Sequence, residues 1–230
     1  MSTYLQKLSA LESTDADAVL FVDADSLAFG PLDPIWEYCQ GKPLAVQGYV
    51  VRDGHWYGEL ARVLPRLGLP ALPRFNGGMI YYERGEGTAK LIEAAREVAE
   101  HYEETGLELF RGQAPDEPCL SIAMARTGIG ELIPDEKDFM NTPVGLVGKL
   151  RMDVTKGECS YIKRGVRMRL IRPVLLHAAK YVLNCCYWRE LAKLERLDRY
   201  ERRHGYGHMG FSHRLRRSIE RRLLRLRGKI

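Results

Sequence analysis

Short apolar runs alternate with amphipathic segments along most of the chain. The run over 19–22 is Val-Leu-Phe-Val, and a run without polar positions is typical of a strand buried on both faces. Over 87–104, apolar residues recur on one face at helical spacing and charged residues cover the other. Strands that alternate with helices favour a mainly parallel sheet. The pattern therefore predicts an α/β domain with a mostly parallel sheet flanked by helices.

Other, shorter segments also show patterns that are typical of helices, loops and strands. A short helix is predicted over 4–11, whose three leucines share one face. A second helix is predicted to begin at Pro115 and to end at Gly128, because proline suits a first turn and glycine suits a helix end. Residues 75–82 are predicted to form a loop that runs into an apolar strand. Residues 163–172 alternate basic and apolar positions, which predicts one strand with a basic face.

The first apolar run stops at two carboxylates, Asp23 and Asp25. In an extended segment, residues two apart point to the same side, so the two acids repel each other unless a cation lies between them. Hard oxygen ligands suit Mg²⁺ or Mn²⁺. Taken alone, Asp-Ala-Asp is more typical of a loop with turn-forming aspartates. Its place at the end of a strand favours a site, because ligands of open α/β sheets lie beyond the carboxyl ends of the strands.

Two further polar groups are predicted at or beside strand ends. Asn76-Gly77-Gly78 precedes one apolar run, and His177 ends another. Each has a structural alternative, since the first is compatible with a simple turn and the second with a core histidine. Three placements of this kind together favour a common site over coincidence.

Two known chemistries use a strand that ends in Asp-x-Asp. In phosphatases of the haloacid-dehalogenase type, the first aspartate is the nucleophile. In GT-A glycosyltransferases, the pair holds a metal on a nucleotide-sugar diphosphate. The phosphatase pattern requires Thr or Val two positions after the second aspartate, where Leu27 stands, and a later Asp-Asp pair that the sequence lacks. The phosphatase pattern therefore fits poorly and stays the alternative, and the rest of the chain must decide between the two.

Length and composition add limits on size, compartment and charge. A chain of 230 residues is long enough for one well-packed α/β domain. No apolar run reaches the length of a transmembrane helix, and the N-terminus lacks a signal-peptide pattern. The five cysteines show no metal-ligand spacing, which favours reduced thiols and a cytoplasmic location.

Positive charge is concentrated in the last part of the chain. Residues 186–230 hold 14 Lys+Arg against 5 Asp+Glu, so with +5 overall the remainder carries −4. Within this tail, 212–230 predicts a helix with one apolar stripe and an arginine-rich remainder. Such a helix suits either docking to an anionic membrane from the cytoplasmic side or packing on the rest of the chain. A non-catalytic module that binds nucleic acid is disfavoured, because the tail's aromatic residues lie mostly outside the arginine-rich helix. We expect a domain over 1–185 and a basic helical extension over 186–230.

The chain resembles GT-A glycosyltransferases of family 8, the glycogenin and lipopolysaccharide glycosyltransferase type. The resemblance extends over 4–180 and rests on five motifs in the family's order. They are Val22-Asp23-Ala24-Asp25, Gly30-Pro31-Leu32-Asp33-Pro34-Ile35-Trp36, Phe75-Asn76-Gly77-Gly78-Met79, Asp116-Glu117-Pro118 and Leu176-His177-Ala178-Ala179-Lys180. It implies a GT-A-like mixed, mostly parallel sheet that is truncated at the N-terminus, because only the last helix and strand of the family's nucleotide-binding unit precede Asp23.

The resemblance also implies roles for individual residues. Mn²⁺ or Mg²⁺ would be bound by Asp23, Asp25 and His177. The nucleotide-diphosphate sugar, expected to carry UDP, would lie against Ala24, Gly77, Gly78 and Lys180. The reacting sugar would be contacted by Asn76 and by Asp116, although Asp116 is equally suited to capping a helix. The implied reaction moves a sugar, with retention, to a glycan or glycolipid acceptor. Glu117 stands where the family has Gln, and the residues around Lys180 also differ from the family's pattern.

Overall fold

The computed structural model describes residues 3–165, 168–178 and 184–204, and within them the chain forms five α-helices and ten β-strands. The helices are α1 (Asp33–Cys39), α2 (Leu60–Leu67), α3 (Glu86–Glu100), α4 (Asp116–Thr127) and α5 (Asn184–His204). The strands are β1 (Ala18–Val22), β2 (Ser26–Ala28), β3 (Leu44–Val51), β4 (Leu72–Glu83), β5 (Glu131–Ile133), β6 (Met140–Asn141), β7 (Leu146–Asp153), β8 (Glu158–Arg164), β9 (Met168–Ile171) and β10 (Leu175–His177). Short 3₁₀ helices cover Thr3–Ser9, Tyr102–Thr105, Asp135–Lys137 and Val154–Lys156.

These elements fall into two compact units. The first comprises the described residues up to Ser26 together with Pro31–Asn141, and the second comprises Leu27–Gly30 with the described residues from Thr142 onward. Each unit has its own buried apolar cluster. The predicted boundary between a domain over 1–185 and a basic extension over 186–230 stays a prediction.

The first unit is built on a four-stranded sheet in the order β1-β4-β3-β5. Strand β4 is antiparallel to both β1 and β3, and β3 is parallel to β5. The α/β class is confirmed, but the prediction of a mostly parallel sheet is wrong for this sheet. The eight residues of α2 span about 12 Å, whereas the eight of β3 span about 26 Å. Helix α2 alone therefore covers less than half the length of β3, and the connection over 52–71 brings the chain into an antiparallel β4.

Strand β1 confirms the predicted strand over 19–22, but not its burial on both faces. Every residue of β1 is half-buried, because the strand forms an edge of the sheet and pairs only with β4 in it.

The core of the first unit contains the helix faces that the sequence predicts. In α3, Leu91, Ala95 and Val98 are buried, which confirms the apolar stripe within 87–104. The predicted helix over 4–11 is a 3₁₀ helix over Thr3–Ser9, with Leu5 and Leu8 in the core. Its apolar side is thus fixed on the first unit.

Strand β4 contains a large irregularity in its pairing with β3. Val46 pairs with Ile80 and Gly48 with Phe75, so Gln47 alone lies opposite the four residues 76–79. The loop predicted in the first part of 75–82 is therefore wrong, because β4 is continuous through these residues. Gly77 and Gly78 lie where the pairing of β4 with β3 is interrupted, while the strand itself continues.

The second unit contains an antiparallel sheet in the order β7-β8-β9 and the pairing of β2 with β10. The single strand predicted over 163–172 is wrong, because β8 ends at Arg164 and β9 begins at Met168 in the antiparallel sense. Helix α5 packs Cys186, Tyr187 and Leu194 against the buried cluster of this unit. Among the described helices, none combines the length and the apolar character needed to cross a membrane. The predicted tail helix over 212–230 and Lys180 lie outside the described residues.

Candidate functional site

Three predicted ligands come together in the structure. One side-chain ligand atom from each of Asp23, Asp25 and His177 lies within 4.8 Å of the other two, and all three residues are half-buried. Asp25 directly precedes β2, and His177 is the last residue of β10, which pairs with β2. The pairing of these two strands therefore accounts for the approach of an imidazole 152 residues beyond the second acid.

The donor set of this Asp-Asp-His cluster fits a divalent cation. Two carboxylates supply hard oxygen ligands and negative charge, and the imidazole supplies a nitrogen ligand. The separation of the ligand atoms is close to the distance that two ligands of one cation can span. The residues present are thus compatible with a bound metal.

The backbone at Asp23 differs from the extended segment assumed from the sequence. The Ser26 N–H donates to the carbonyl oxygen of Asp23 at 2.9 Å, which closes a turn over Asp23–Ser26. Ala24 is exposed at the tip of this turn. The turn expected as the structural alternative is therefore present, and it lies within the Asp-Asp-His cluster.

Lys7 links the first aspartate to two other predicted site residues. Its Nζ lies 3.0 Å from Asp23 Oδ1 and 3.1 Å from Asp116 Oδ2. The same Nζ donates to the carbonyl oxygen of Gly77 at 3.0 Å. Burial acts to lower the pKa of Lys7, but the carboxylates of Asp116 and Asp23 outweigh it, so the pKa is raised. The lysine is therefore a cation that holds the two acids together.

Asp116 is a buried acid and not a helix cap. It is 4% exposed and is the first residue of α4, where Pro115 occupies the N-cap position. Burial raises the pKa of Asp116, and Lys7 opposes that shift. The Lys7 contact therefore favours the charged form of this carboxylate and opposes the effect of burial.

Glu117, the next residue, binds two groups on other elements. Its Oε1 accepts from the backbone N–H of Gly77 at 2.8 Å, and its Oε2 accepts from the Tyr57 hydroxyl at 3.1 Å. Burial raises the pKa of Glu117 to about 7, although the hydrogen bonds from Gly77 and Tyr57 lower it. Glu117 therefore fixes β4 to α4 through a carboxylate that changes charge near neutral pH.

The close approach of α4 explains the glycine at position 77. A Cβ built there would lie 2.6 Å from Asp116 Oδ2 and 3.2 Å from Glu117 Cγ. No side chain fits at that distance from a fixed carboxylate oxygen. Gly77 thus lets Asp116 and Glu117 lie against the backbone of β4.

The neighbours of Gly77 are also tied to the site. Asn76 Oδ1 accepts from the Gly78 N–H at 2.8 Å, and the carbonyl oxygen of Gly78 accepts from the Asp23 N–H at 2.9 Å. The structure thereby places Asn76, Gly77, Gly78, Asp23 and Asp116 side by side in the first unit. Their roles toward a substrate stay predictions.

Sequence reasoning missed Lys7 and Tyr57. Lys7 lies in a helix that was recognised only from its leucines, and one lysine among surface charges gives no periodic signal. Tyr57 has a left-handed φ of 53°, and that backbone conformation has no sequence signature in a tyrosine. The contacts of Lys7 with Asp116 and of Tyr57 with Glu117 join residues that are far apart in the sequence.

We expect the stability of the first unit to depend on the charge of Glu117. Its pKa is about 7, above the ordinary 4.5, so the folded chain holds this proton more tightly than the unfolded chain. This contribution is complete below about pH 4.5 and is lost as the pH rises through about 7. Glu117→Gln should remove a pH dependence on the order of 3 kcal/mol in the free energy of unfolding.

Denaturant unfolding between pH 5 and pH 8 measures this effect. The matched control is Glu93→Gln, which neutralises an exposed carboxylate on α3. In this variant the free energy of unfolding should depend on pH as it does in the parent. The charged groups that face Glu117 are Asp116 and Lys7, and Tyr57 donates to it. If the free energy of unfolding of Glu117→Gln depends on pH as strongly as that of the parent, a group other than Glu117 causes the dependence.

Comparison with known proteins gives little beyond the structure itself. No protein-family model and no curated protein matches the chain. Among solved structures, the chain is similar to the galactosyltransferase LgtC, crystallised in complex with donor and acceptor sugar analogues. The identity is 21% and the TM-score is 0.44, over 63% of this chain and 49% of that one, so the match spans about half the length of LgtC. A similarity of this size assigns neither a family nor an activity. Any proposal of function must therefore rest on the side chains of the site.

Proposed function

We propose that this chain is a metal-dependent glycosyltransferase that takes a sugar from a nucleotide-diphosphate donor. The observation that carries the proposal is the approach of Asp23, Asp25 and His177 within 4.8 Å of one another. In the proposed complex they hold Mn²⁺ or Mg²⁺. When bound, the cation supplies Lewis-acid neutralisation of the charge on the leaving diphosphate.

The residues beside this cluster suit the handling of a sugar. Asp116 holds a buried carboxylate oriented by Lys7, and a carboxylate that a bound sugar reaches accepts hydrogen bonds from its hydroxyls. The Asn76 side chain is oriented by its bond from Gly78, and it adds a neutral amide for the same purpose. The Gly77 position has no side chain, which leaves room at the backbone. We propose that these residues contact the donor sugar, while Ala24, Gly78 and Lys180 lie toward its diphosphate and nucleoside.

The finer features of the proposal come from the resemblance of the sequence motifs to family 8. They are a UDP-linked donor, transfer with retention, a glycan or glycolipid acceptor, and docking of 212–230 on an anionic membrane at the cytoplasmic face. Release of UDP from a panel of UDP-sugars, with Mn²⁺, Mg²⁺ or EDTA present, tests the reaction. Metal-dependent release from at least one donor supports the proposal, and release that EDTA leaves unchanged contradicts it.

We expect His177→Ala to weaken Mn²⁺ binding without unfolding the protein. The imidazole is one of three protein ligands in the proposed site. Loss of a residue that only orients a ligand raises the Kd by about 10- to 100-fold, so loss of the ligand itself should raise it by at least about 10-fold. His177 is half-buried at the end of a short strand, so truncation leaves no large cavity. Calorimetric titration with Mn²⁺ measures the Kd.

The matched control is His55→Ala. This histidine is exposed, and its Nε2 lies 3.4 Å from Glu108 Oε1. Its removal should leave the Kd for Mn²⁺ unchanged. An identical titration for the parent and His177→Ala would assign His177 a structural role only.

A further inference from the structure

The β7-β8-β9 sheet of the second unit has apolar side chains on both of its faces. On one face, Tyr161 and Ile171 lie opposite each other and belong to the buried cluster of the unit. On the other face, Ile162 lies opposite both Val147 and Leu170, so one apolar residue from each strand forms a single row. Antiparallel sheets with one face toward solvent ordinarily carry polar residues on that face. This row therefore departs from the usual alternation.

The row is open to solvent. Ile162 is 43% exposed and Leu170 is 49% exposed. Met168 precedes Leu170 by two residues on the same face of the sheet, and it is 71% exposed. Val147, Ile162, Met168 and Leu170 are called the outer sheet face below. Contiguous apolar residues on an exposed surface mark a place where a partner binds.

The part of the chain that carries the outer sheet face is strongly basic. Residues 142–178 contain eight Lys+Arg against two Asp+Glu, a formal balance of +6. The two acids, Asp153 and Glu158, lie opposite each other in the last row of β7 and β8, at the end away from the turn that joins β8 to β9. A net balance of this size gives the surrounding surface a positive potential, whatever contacts the individual side chains make.

Two arginines flank the apolar row directly. Arg164 lies opposite Met168 in the row on one side of Ile162, and Arg151 lies opposite Ser160 in the row on the other side. Both arginines are exposed. The strand pairings therefore place one cation on each side of the apolar row, on the same face of the sheet.

The size and the chemistry of this face favour a lipid surface over a protein or a nucleic acid. Three strands and four residues along them cover on the order of 200 Å², well below the roughly 800 Å² that each partner buries in a specific protein complex. Single-stranded nucleic acids bind to exposed aromatic side chains, and Tyr161, the one aromatic residue of 142–178, is buried. An anionic bilayer accepts aliphatic side chains and cations side by side.

We propose that the outer sheet face docks on an anionic phospholipid surface. In the docked state, Ile162, Met168 and Leu170 enter the boundary between headgroups and acyl chains, and Arg151 and Arg164 contact lipid phosphates. This surface is distinct from the tail helix predicted over 212–230, and the proposal does not depend on the proposed transferase reaction.

Partition of the full chain into phosphatidylcholine vesicles, with and without phosphatidylglycerol, tests the proposal. We expect Leu170→Gln to weaken partition into the anionic vesicles by about fivefold, because a half-exposed leucine leaves water when the face docks. The matched control is Leu109→Gln, the same substitution at a leucine that is 57% exposed in the first unit. It should bind the vesicles as the parent does. Equal partition of the parent and both variants would overturn the proposal, because any binding would then come from another part of the chain.

Arg164→Gln should also weaken partition into the anionic vesicles by about fivefold. Its matched control is Arg126→Gln, which removes an exposed arginine from α4 in the first unit and should change partition little. Equal weakening in both arginine variants would show attraction by net charge alone and would overturn the docked orientation. Circular dichroism should show the fold of the parent in all four variants.

Size-exclusion chromatography and titration with an oligonucleotide test the other two partners. A dimer or an oligonucleotide complex that Leu170→Gln abolishes would assign the outer sheet face to a second copy of the chain or to nucleic acid, and would overturn the lipid assignment. Because these tests need neither a metal nor a sugar nucleotide, their result is separate from that of the proposed glycosyltransferase activity.

Discussion

Asp25→Asn is expected to lower Mn²⁺-dependent hydrolysis of the UDP-sugar donor by more than about 100-fold. The substitution keeps the size of the side chain but removes one of the two negative charges that would hold the cation. Asp25 is a sharper test than Asp23, because Asp23 also contacts Lys7 and its loss would disturb the buried ion pairs. Initial rates at saturating Mn²⁺, with EDTA blanks, measure the effect.

The control for this variant is Asp15→Asn, which neutralises an exposed aspartate in the connection before β1. It should hydrolyse the donor at the rate of the parent. Circular dichroism and the free energy of unfolding should be similar in all three proteins. A rate for Asp25→Asn equal to that of the parent would refute the metal assignment.

Lys7→Met is expected to cost about 3 kcal/mol in the free energy of unfolding. The substitution removes the cation at 3.1 Å from Asp116, whose side chain is only 6% exposed. A buried carboxylate that loses its partner keeps its desolvation cost without compensation. The expected cost is at the lower end for buried pairs, since the Lys7 side chain is 17% exposed. Urea unfolding at pH 7 measures it.

The double variant Lys7→Met/Asp116→Asn separates charge from packing. Neutralising Asp116 in the Lys7→Met background should recover part of the lost stability, although Asp116→Asn alone should destabilise. Lys90→Met, on the exposed side of α3, should cost little. If Lys7→Met and Lys90→Met cost the same, the Lys7 contacts contribute no net stability.

The sequence predicted those parts of the fold that depend on local order. The strand before Asp23, the α3 stripe and the start and end of α4 follow from apolar runs, proline and glycine. The direction of β4 could not be predicted, because an apolar run has the same pattern in a parallel and in an antiparallel strand. The hairpin within 163–172 was missed because alternation continues through both of its strands.

The candidate site likewise contains residues that local patterns predict and residues that they do not. Asp23, Asp25 and His177 were selected because each follows an apolar run, and the pairing of β2 with β10 brings them together. Lys7 and Tyr57 reach the site only through tertiary packing. Their contacts with Asp116 and Glu117 had no counterpart in any local pattern.

The four residues opposite Gln47 give β4 more backbone than its ladder with β3 uses. The polar groups of Gly77 are satisfied by Glu117 and Lys7, and the Gly78 amide is satisfied by Asn76. Side chains from other elements and from Asn76 thus hold the residues of β4 that its ladder with β3 leaves unpaired. The pairings of β4 with β3 continue on both sides of this segment, so β4 carries the contacts of the site without ending there.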